Sequence, residues 1–300
     1  MTDVAVVIGN YEGERFLPEC LESLESQTRA PVDVVVVDAS SRDRSVEVAR
    51  QLRARTLVVP NRGLGYLYNR GVETVAAPYV LLSNVDVAYE RDCIALLAAA
   101  LDDDRARFAA DVTQLDWEAN EVVHARTTLG PGAMTREYFP GLHLDDRAHA
   151  DSVVPTVAAN GAAMLVRRDV YLELGGFDET FFLEWEDLDL CWRAWLRGRP
   201  SVYVPDARVR HRVGAVTGAS DRPRRSASSH HNILRFALKC LPLGALVRVV
   251  AGELLRLPRH PRAIGRGLAS VSRELPEILR LRRQLAPGPD LPRRMIEDAP

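Results

Sequence analysis

Lysine is almost missing from this chain of 300 residues: Lys239 stands alone, and arginine supplies the rest of the 39 basic residues. A GC-rich coding bias accounts for that, so it carries no functional weight. Cysteine is scarce and scattered. Cys20, Cys93, Cys191 and Cys240 form no Cys-x-x-Cys pair, which excludes a disulfide framework and zinc-ligand spacing and fits a reducing cytosol. Long apolar runs are lacking too, because a stretch such as Cys240–Val247 is closed by Lys239 and Arg248 and falls well short of the roughly 20 residues of a membrane-spanning helix. Asp3 stands where a signal peptide carries basic residues, which points away from secretion. What remains is ordinary: 47% hydrophobic and 27% charged residues describe a folded protein of one large or two modest domains.

The net charge of −2 joins two unlike parts. Residues 201–300 hold 19 Lys and Arg against 8 Asp and Glu, whereas residues 1–200 hold 20 against 33. The two parts therefore face different partners.

Apolar periodicity organises the first half. Val4–Ile8 is a uniformly apolar run, Arg15–Thr28 carries Phe16, Cys20, Leu21 and Leu24 at helical spacing, and Val32–Val37 is a second run. The alternation continues with helices near Ser45–Ala54 and Tyr66–Val75 and strands at Thr56–Val59 and Pro78–Leu82. Strands this apolar are buried on both faces, so the pattern predicts an α/β fold with a mostly parallel, doubly wound sheet. Ligands on such sheets sit at the carboxyl ends of the strands, here Asn10-Tyr11, Asp38, Asn61 and Asn84-Val85-Asp86. Residues 102–155 show weak periodicity and read as a variable insertion. A strand at Asn160–Val166, a helix near Arg168–Leu174 and a strand at Pro200–Val204 follow, and from Asp221 the chain becomes a basic, amphipathic helical appendage.

Several motifs carry chemistry beside a plainer alternative. Asn84 and Asp86 point the same way at a strand's mouth, which suits Mg²⁺ or Mn²⁺ shared with a diphosphate, or else a helix cap. Asp38 is placed to accept a nucleobase N–H, although Asp43 and Ser45 behind it only cap a helix. Asn61–Gly71 has Gly63 and Gly65 in a G-x-G, but neither follows the first strand nor completes a dinucleotide fingerprint, so NAD is disfavoured. These glycines let the backbone approach a ligand. Four carboxylates, Glu184, Glu186, Asp187 and Asp189, crowd around Trp185, as a general base, a metal site or a helix start favoured by the dipole. His211 among arginines suits a diphosphate, and His230-His231 reads as a helix start, not a metal pair.

In combination these residues resemble the family 2 glycosyltransferases of the GT-A nucleotide-diphospho-sugar transferase fold, in particular their rhamnosyltransferase-like branch. The resemblance spans Val4 to Arg235 and rests on Val6–Glu14, Val37–Ser45, Asn61–Gly71, Asn84-Val85-Asp86, Gly175–Glu179 and Glu186–Arg193. Asn84 stands for the first carboxylate of the family's Asp-x-Asp, as in that branch, and Val85 for the branch's usual proline. The resemblance implies an inverting transfer from a UDP- or dTDP-sugar to an acceptor hydroxyl. It puts Asn10, Tyr11, Glu14 and Asp38 around the nucleoside, with Asn61, Gly63, Gly65, Asn69 and Asn84 also on the donor. Asp86 and His211 would hold Mg²⁺ or Mn²⁺, and Asp187 would be the base supported by Glu186 and Asp189.

The expected organisation is a transferase domain over residues 1–220, with a donor half at 1–101 and an acceptor half at 102–220, followed by the basic tail at 221–300. Family members that use lipid-linked acceptors work at the cytoplasmic membrane face, where such a tail would bind an anionic surface. The expected acceptor is lipid-linked or a saccharide, and nucleic acid is not expected, given the acidic front part. The competing readings are a transferase acting on a small soluble natural product, and a non-catalytic membrane- or nucleic-acid-binding protein on the same scaffold.

Overall fold

A computed structural model describes residues 2–129, 144–148, 150–215 and 222–287. Strand β1 (Val4–Asn10) is buried along its whole length, and its side chains divide by alternation: Ala5 and Val7 enter one core, Val4, Val6 and Ile8 the other. Helix α1 (Leu17–Glu25), with proline in its first turn, buries Leu17, Cys20, Leu21 and Leu24, the stripe an amphipathic helix needs. There follow β2 (Asp33–Asp38), α2 (Ser45–Gln51), β3 (Arg55–Val58), α3 (Leu64–Thr74) and β4 (Tyr79–Asn84), so the predicted alternation is present.

The second half holds β5 (Val87–Tyr89), α4 (Cys93–Asp103), β6 (Ala109–Asp116), β7 (Val122–His124), β8 (Arg126–Leu129), β9 (Leu144–Ala148), β10 (Val154–Thr156) and β11 (Ala163–Arg167). Helices α5 (Arg168–Glu173) and α6 (Glu186–Leu196), strand β12 (Ser201–His211) and helices α7 (Arg222–Cys240), α8 (Leu243–Arg256) and α9 (Pro261–Leu285) complete it. The main sheet runs β10-β12-β6-β11-β4-β1-β2-β3. β1 to β4, β6 and β12 all point one way, and β11 lies antiparallel between β4 and β6. The sheet is therefore mixed, and the carboxyl ends of β1, β2, β4, β6 and β12 still share one edge. Helices α1 and α4 cover one face, and α3, α5, α6 and α7 the other.

Three expectations change. Residues 102–155 are no insertion, because β6 is a central strand with Ala110 and Val112 in one core and Ala109 in the other. Nor does the shift in composition near Asp221 mark a packing boundary. Ile233, Phe236, Ala237 and Cys240 of α7 share a core with Trp192 of α6, and His230-His231 fall in the middle of α7 rather than at its start.

Candidate active site

Short strand β5 pairs antiparallel with the outer end of β12, setting Val87 opposite His211. This register brings Asp86 to His211: Oδ1 of Asp86 lies 3.5 Å from the imidazole Nε2, and Asp86 is 5% exposed. That Oδ1 has no hydrogen-bond partner. His211 Nδ1 lies 2.8 Å from Gln114 Oε1, and because an amide oxygen only accepts, Nδ1 donates to it and Nε2 is the nitrogen that faces Asp86. An orphaned carboxylate oxygen beside an imidazole nitrogen is a donor set fit for a divalent cation. No group of three or more His, Cys, Asp or Glu side chains that could hold a metal occurs among the described residues, so the pair would share an ion with other donors.

On the same sheet edge, Asn10 Nδ2 donates to Asp38 Oδ2 at 2.6 Å, and Ser41 gives Asp38 both its amide and its hydroxyl. Asn10 Oδ1 is buried with no partner. Tyr11 and Asn61 stand exposed at the rim. Glu14 faces elsewhere, because its Oε2 accepts the Arg44 amide at 2.9 Å and so ties the loop after β1 to the turn before α2.

The glycine motif proves to be a packing device. Gly63 has φ of 102°, and a Cβ there would lie 2.3 Å from the Phe182 carbonyl oxygen; one at Gly65 would meet Phe177 at 2.8 Å. What the backbone approaches closely here is the segment before α6. Asn69 is spent on the same segment. Its Nδ2 donates to Phe177 O and Glu179 Oε1, and its Oδ1 accepts from Tyr171 Oη and the Phe177 amide.

Helix α6 opens with Glu186 and Asp187 in a first turn whose dipole favours anions. Asp187 Oδ2 accepts the Gly161 amide at 3.0 Å and Oδ1 the Leu188 amide at 2.7 Å, whereas Glu186 Oε2 is buried with no partner. Burial, then the neighbouring Asp187 charge, pushes Glu186 up to about 8. Burial raises Asp187 as well, opposed by its two amides and by His124. Of the two, Asp187 ionises first, because its oxygens are the ones held by N–H donors. Asp189 is not with them. Two residues on along a helix it points the other way, and its carboxylate is fully buried against Arg193 Nε at 2.8 Å and Lys239 Nζ at 2.7 Å.

Residues that the sequence reading passed over complete the site. Asp111 of β6 accepts the Asn160 amide at 3.0 Å and pairs with His124 at 2.9 Å. Tyr68 sets its hydroxyl 2.8 Å from Gly161 O and 3.0 Å from the Asn84 side chain. The Asn160-Gly161 turn thus connects the Asp187 corner to the end of β4. The available signal was polar residues interrupting an otherwise apolar strand, at Asp111 and Gln114.

The sheet that carries this arrangement has parallels in known proteins. Residues 5–172 match Glycosyl transferase family 2. The N-acetylglucosaminyl-diphospho-decaprenol L-rhamnosyltransferase of Mycobacterium tuberculosis is 30% identical over 258 residues, 77% of this chain and 82% of that protein. GalNAc-T7 with UDP, GalNAc and Mn²⁺ superposes with a TM-score of 0.62 at 16% identity over 80% of this chain, which spans 48% of that one, about half its length. Residues 1–349 of S. aureus TarS in complex with UDP superpose with a TM-score of 0.56 at 17% identity, covering 95% of this chain and 81% of that one. With the family match running from β1 through α5 and the sheet shared with these structures, the chain belongs to the family 2 glycosyltransferases and is an enzyme of the GT-A fold.

Proposed function

We propose that this enzyme moves a sugar, rhamnose or another hexose, from a UDP- or dTDP-sugar to an acceptor hydroxyl with inversion, in cell-envelope polysaccharide or glycolipid synthesis. The observation that carries the reading is the link from Asp187 through Gly161 and Tyr68 to Asn84, which ties a held carboxylate to the end of β4, two residues before Asp86 of the Asp86 and His211 pair. Asp187 takes the proton of the acceptor hydroxyl as its oxygen attacks the anomeric carbon, and the nucleoside diphosphate leaves on the opposite side. Asp86 and His211 would hold Mg²⁺ or Mn²⁺, which neutralises charge on the leaving diphosphate. Asn10 and Asp38 line the nucleoside end, with the orphaned Asn10 Oδ1 available to a nucleobase N–H.

The relative named above acts on a diphospho-lipid, which favours a lipid-linked acceptor here. The C-terminal helices suit an anionic membrane surface. Leu243, Val247, Leu254 and Leu255 of α8 are exposed, and so are Arg248, Arg259, Arg262 and Arg266 of the same C-terminal region, so apolar and basic side chains are both open to a surface. No helix among the described residues is long and apolar enough to cross a membrane. This reading makes the enzyme peripheral, on the cytoplasmic face.

The test is a thermal-shift panel of UDP, dTDP, GDP and CMP, with and without Mn²⁺, on wild type and Asp86→Ala. A Mn²⁺-dependent shift with UDP or dTDP that is lost in the variant is expected. No shift with any nucleotide would overturn the reading.

A further inference from the structure

Helix α6 starts directly after two residues with left-handed backbone, neither of them glycine: Glu184 with φ of 68° and Trp185 with φ of 78°. L side chains are crowded in that region, and such a turn persists only when its surroundings hold it. Helix α7 lies over it. Asn232 is fully buried, and its Nδ2 donates to the carbonyl oxygens of both Leu183 and Glu184, each at 2.9 Å. Ser229 Oγ donates to Glu184 Oε2 at 2.7 Å, and Phe236 meets the Trp185 ring at 5.6 Å. The Asn232 amide is itself oriented, since its Oδ1 lies 2.9 Å from His231 Nδ1, and His231 Nε2 lies 2.9 Å from Glu274 of α9.

We propose that Asn232 is a positioning residue for the base. It holds the 183–185 turn in the conformation that puts Asp187 on the Gly161 amide, so α7 belongs to the catalytic apparatus. Without its two donors the carbonyls of Leu183 and Glu184 lose their buried partner, the turn relaxes, and the start of α6 loses its fixed direction. The proposal rests on the reading of Asp187 as base.

The experiment uses the full chain with Asn232→Asp and Asn232→Leu, which are close in size but give no side-chain N–H donor. Ile233→Ala is the packing control on the same helix, and Asp187→Asn the benchmark. Amide exchange over residues 183–189 and 160–163 is measured first, without substrate, and is expected to rise about tenfold or more in both Asn232 variants while the Ile233 variant stays near wild type there. Steady-state transfer from dTDP-rhamnose to an N-acetylglucosaminyl-diphospho-lipid is then expected to lose about tenfold in kcat with the donor KM little changed. Wild-type exchange in both Asn232 variants, or an equal rise in the Ile233→Ala control, would overturn the proposal. Full transfer by Asp187→Asn would instead overturn the base assignment, and the exchange measurement still decides whether Asn232 holds the turn. Should both variants fail to fold, Asn232→Ser keeps one donor, so intermediate exchange supports the proposal and wild-type exchange overturns it.

Discussion

The Tyr68 hydroxyl lies 2.8 Å from the carbonyl oxygen of Gly161 and 3.0 Å from the Asn84 side chain, so a single proton stands between two neighbours. Gly161 O and Asn84 Oδ1 both accept from that hydroxyl, so the two oxygens compete for its one proton. Tyr68→Phe leaves a buried carbonyl unpaired and uncouples the 160–161 turn from β4. The expected loss is about 1–3 kcal/mol of stability, read by denaturant unfolding, with transfer reduced beyond what the stability loss explains.

Gln114 fixes the His211 tautomer through the 2.8 Å contact with Nδ1. Gln114→Ala frees the ring to protonate on either nitrogen, and Mn²⁺ affinity measured calorimetrically with UDP present should fall about tenfold. Gln114→Glu keeps the acceptor and should fall less. Equal affinity in wild type and Gln114→Ala would remove Gln114 from the cation site.

Glu186 is raised to about 8 from an ordinary value near 4.5, so between those limits the folded state binds the extra proton and stability falls as pH rises. Glu186→Gln removes that liability. Its unfolding temperature should match wild type near pH 4.5 and overtake it progressively up to pH 8, by roughly 2–4 °C for each kcal/mol relieved. The wild-type pH profile of transfer should carry a step near pH 8 that is missing in the variant. Superposable profiles would count against the raised Glu186.

Membrane attachment is best tested without truncation, because α7 is part of the core and deleting the C-terminal helices would expose it. Leu254→Asp with Leu255→Asp places charge at two exposed positions of α8. Sedimentation with anionic vesicles should drop sharply while the nucleotide-dependent thermal shift is kept. Binding of the double variant equal to wild type would exclude these positions.

Much of the donor half was legible because β1, β2 and β4 are uniformly apolar and buried on both faces, which single-sequence patterning reads well. Strand β6 was not, since Asp111, Thr113 and Gln114 break its apolar run and their burial depends on partners such as Asn160 and His211, far away in the chain. The same blindness affected the glycine motif, whose close neighbours Phe177 and Phe182 lie on another element. Among the crowded acids, composition signalled a site but not its orientation: the turn of the helix sends Asp187 to Gly161 and Asp189 to Lys239. In the tail, Arg235 is buried on Asp178.

Burial alone would raise Asp178, yet the Lys239 ammonium and then the Arg235 guanidinium hold it well below the usual carboxylate range. Lys239 is also the chain's single lysine, and its ammonium is closed off between Asp178 and Asp189 on the inner side of α7. Its amine is therefore a built-in reporter. An acylating reagent reaches that nitrogen only in molecules whose α7 has lifted from α6, so the rate of modification at this one side chain clocks the opening of the fold around the active site.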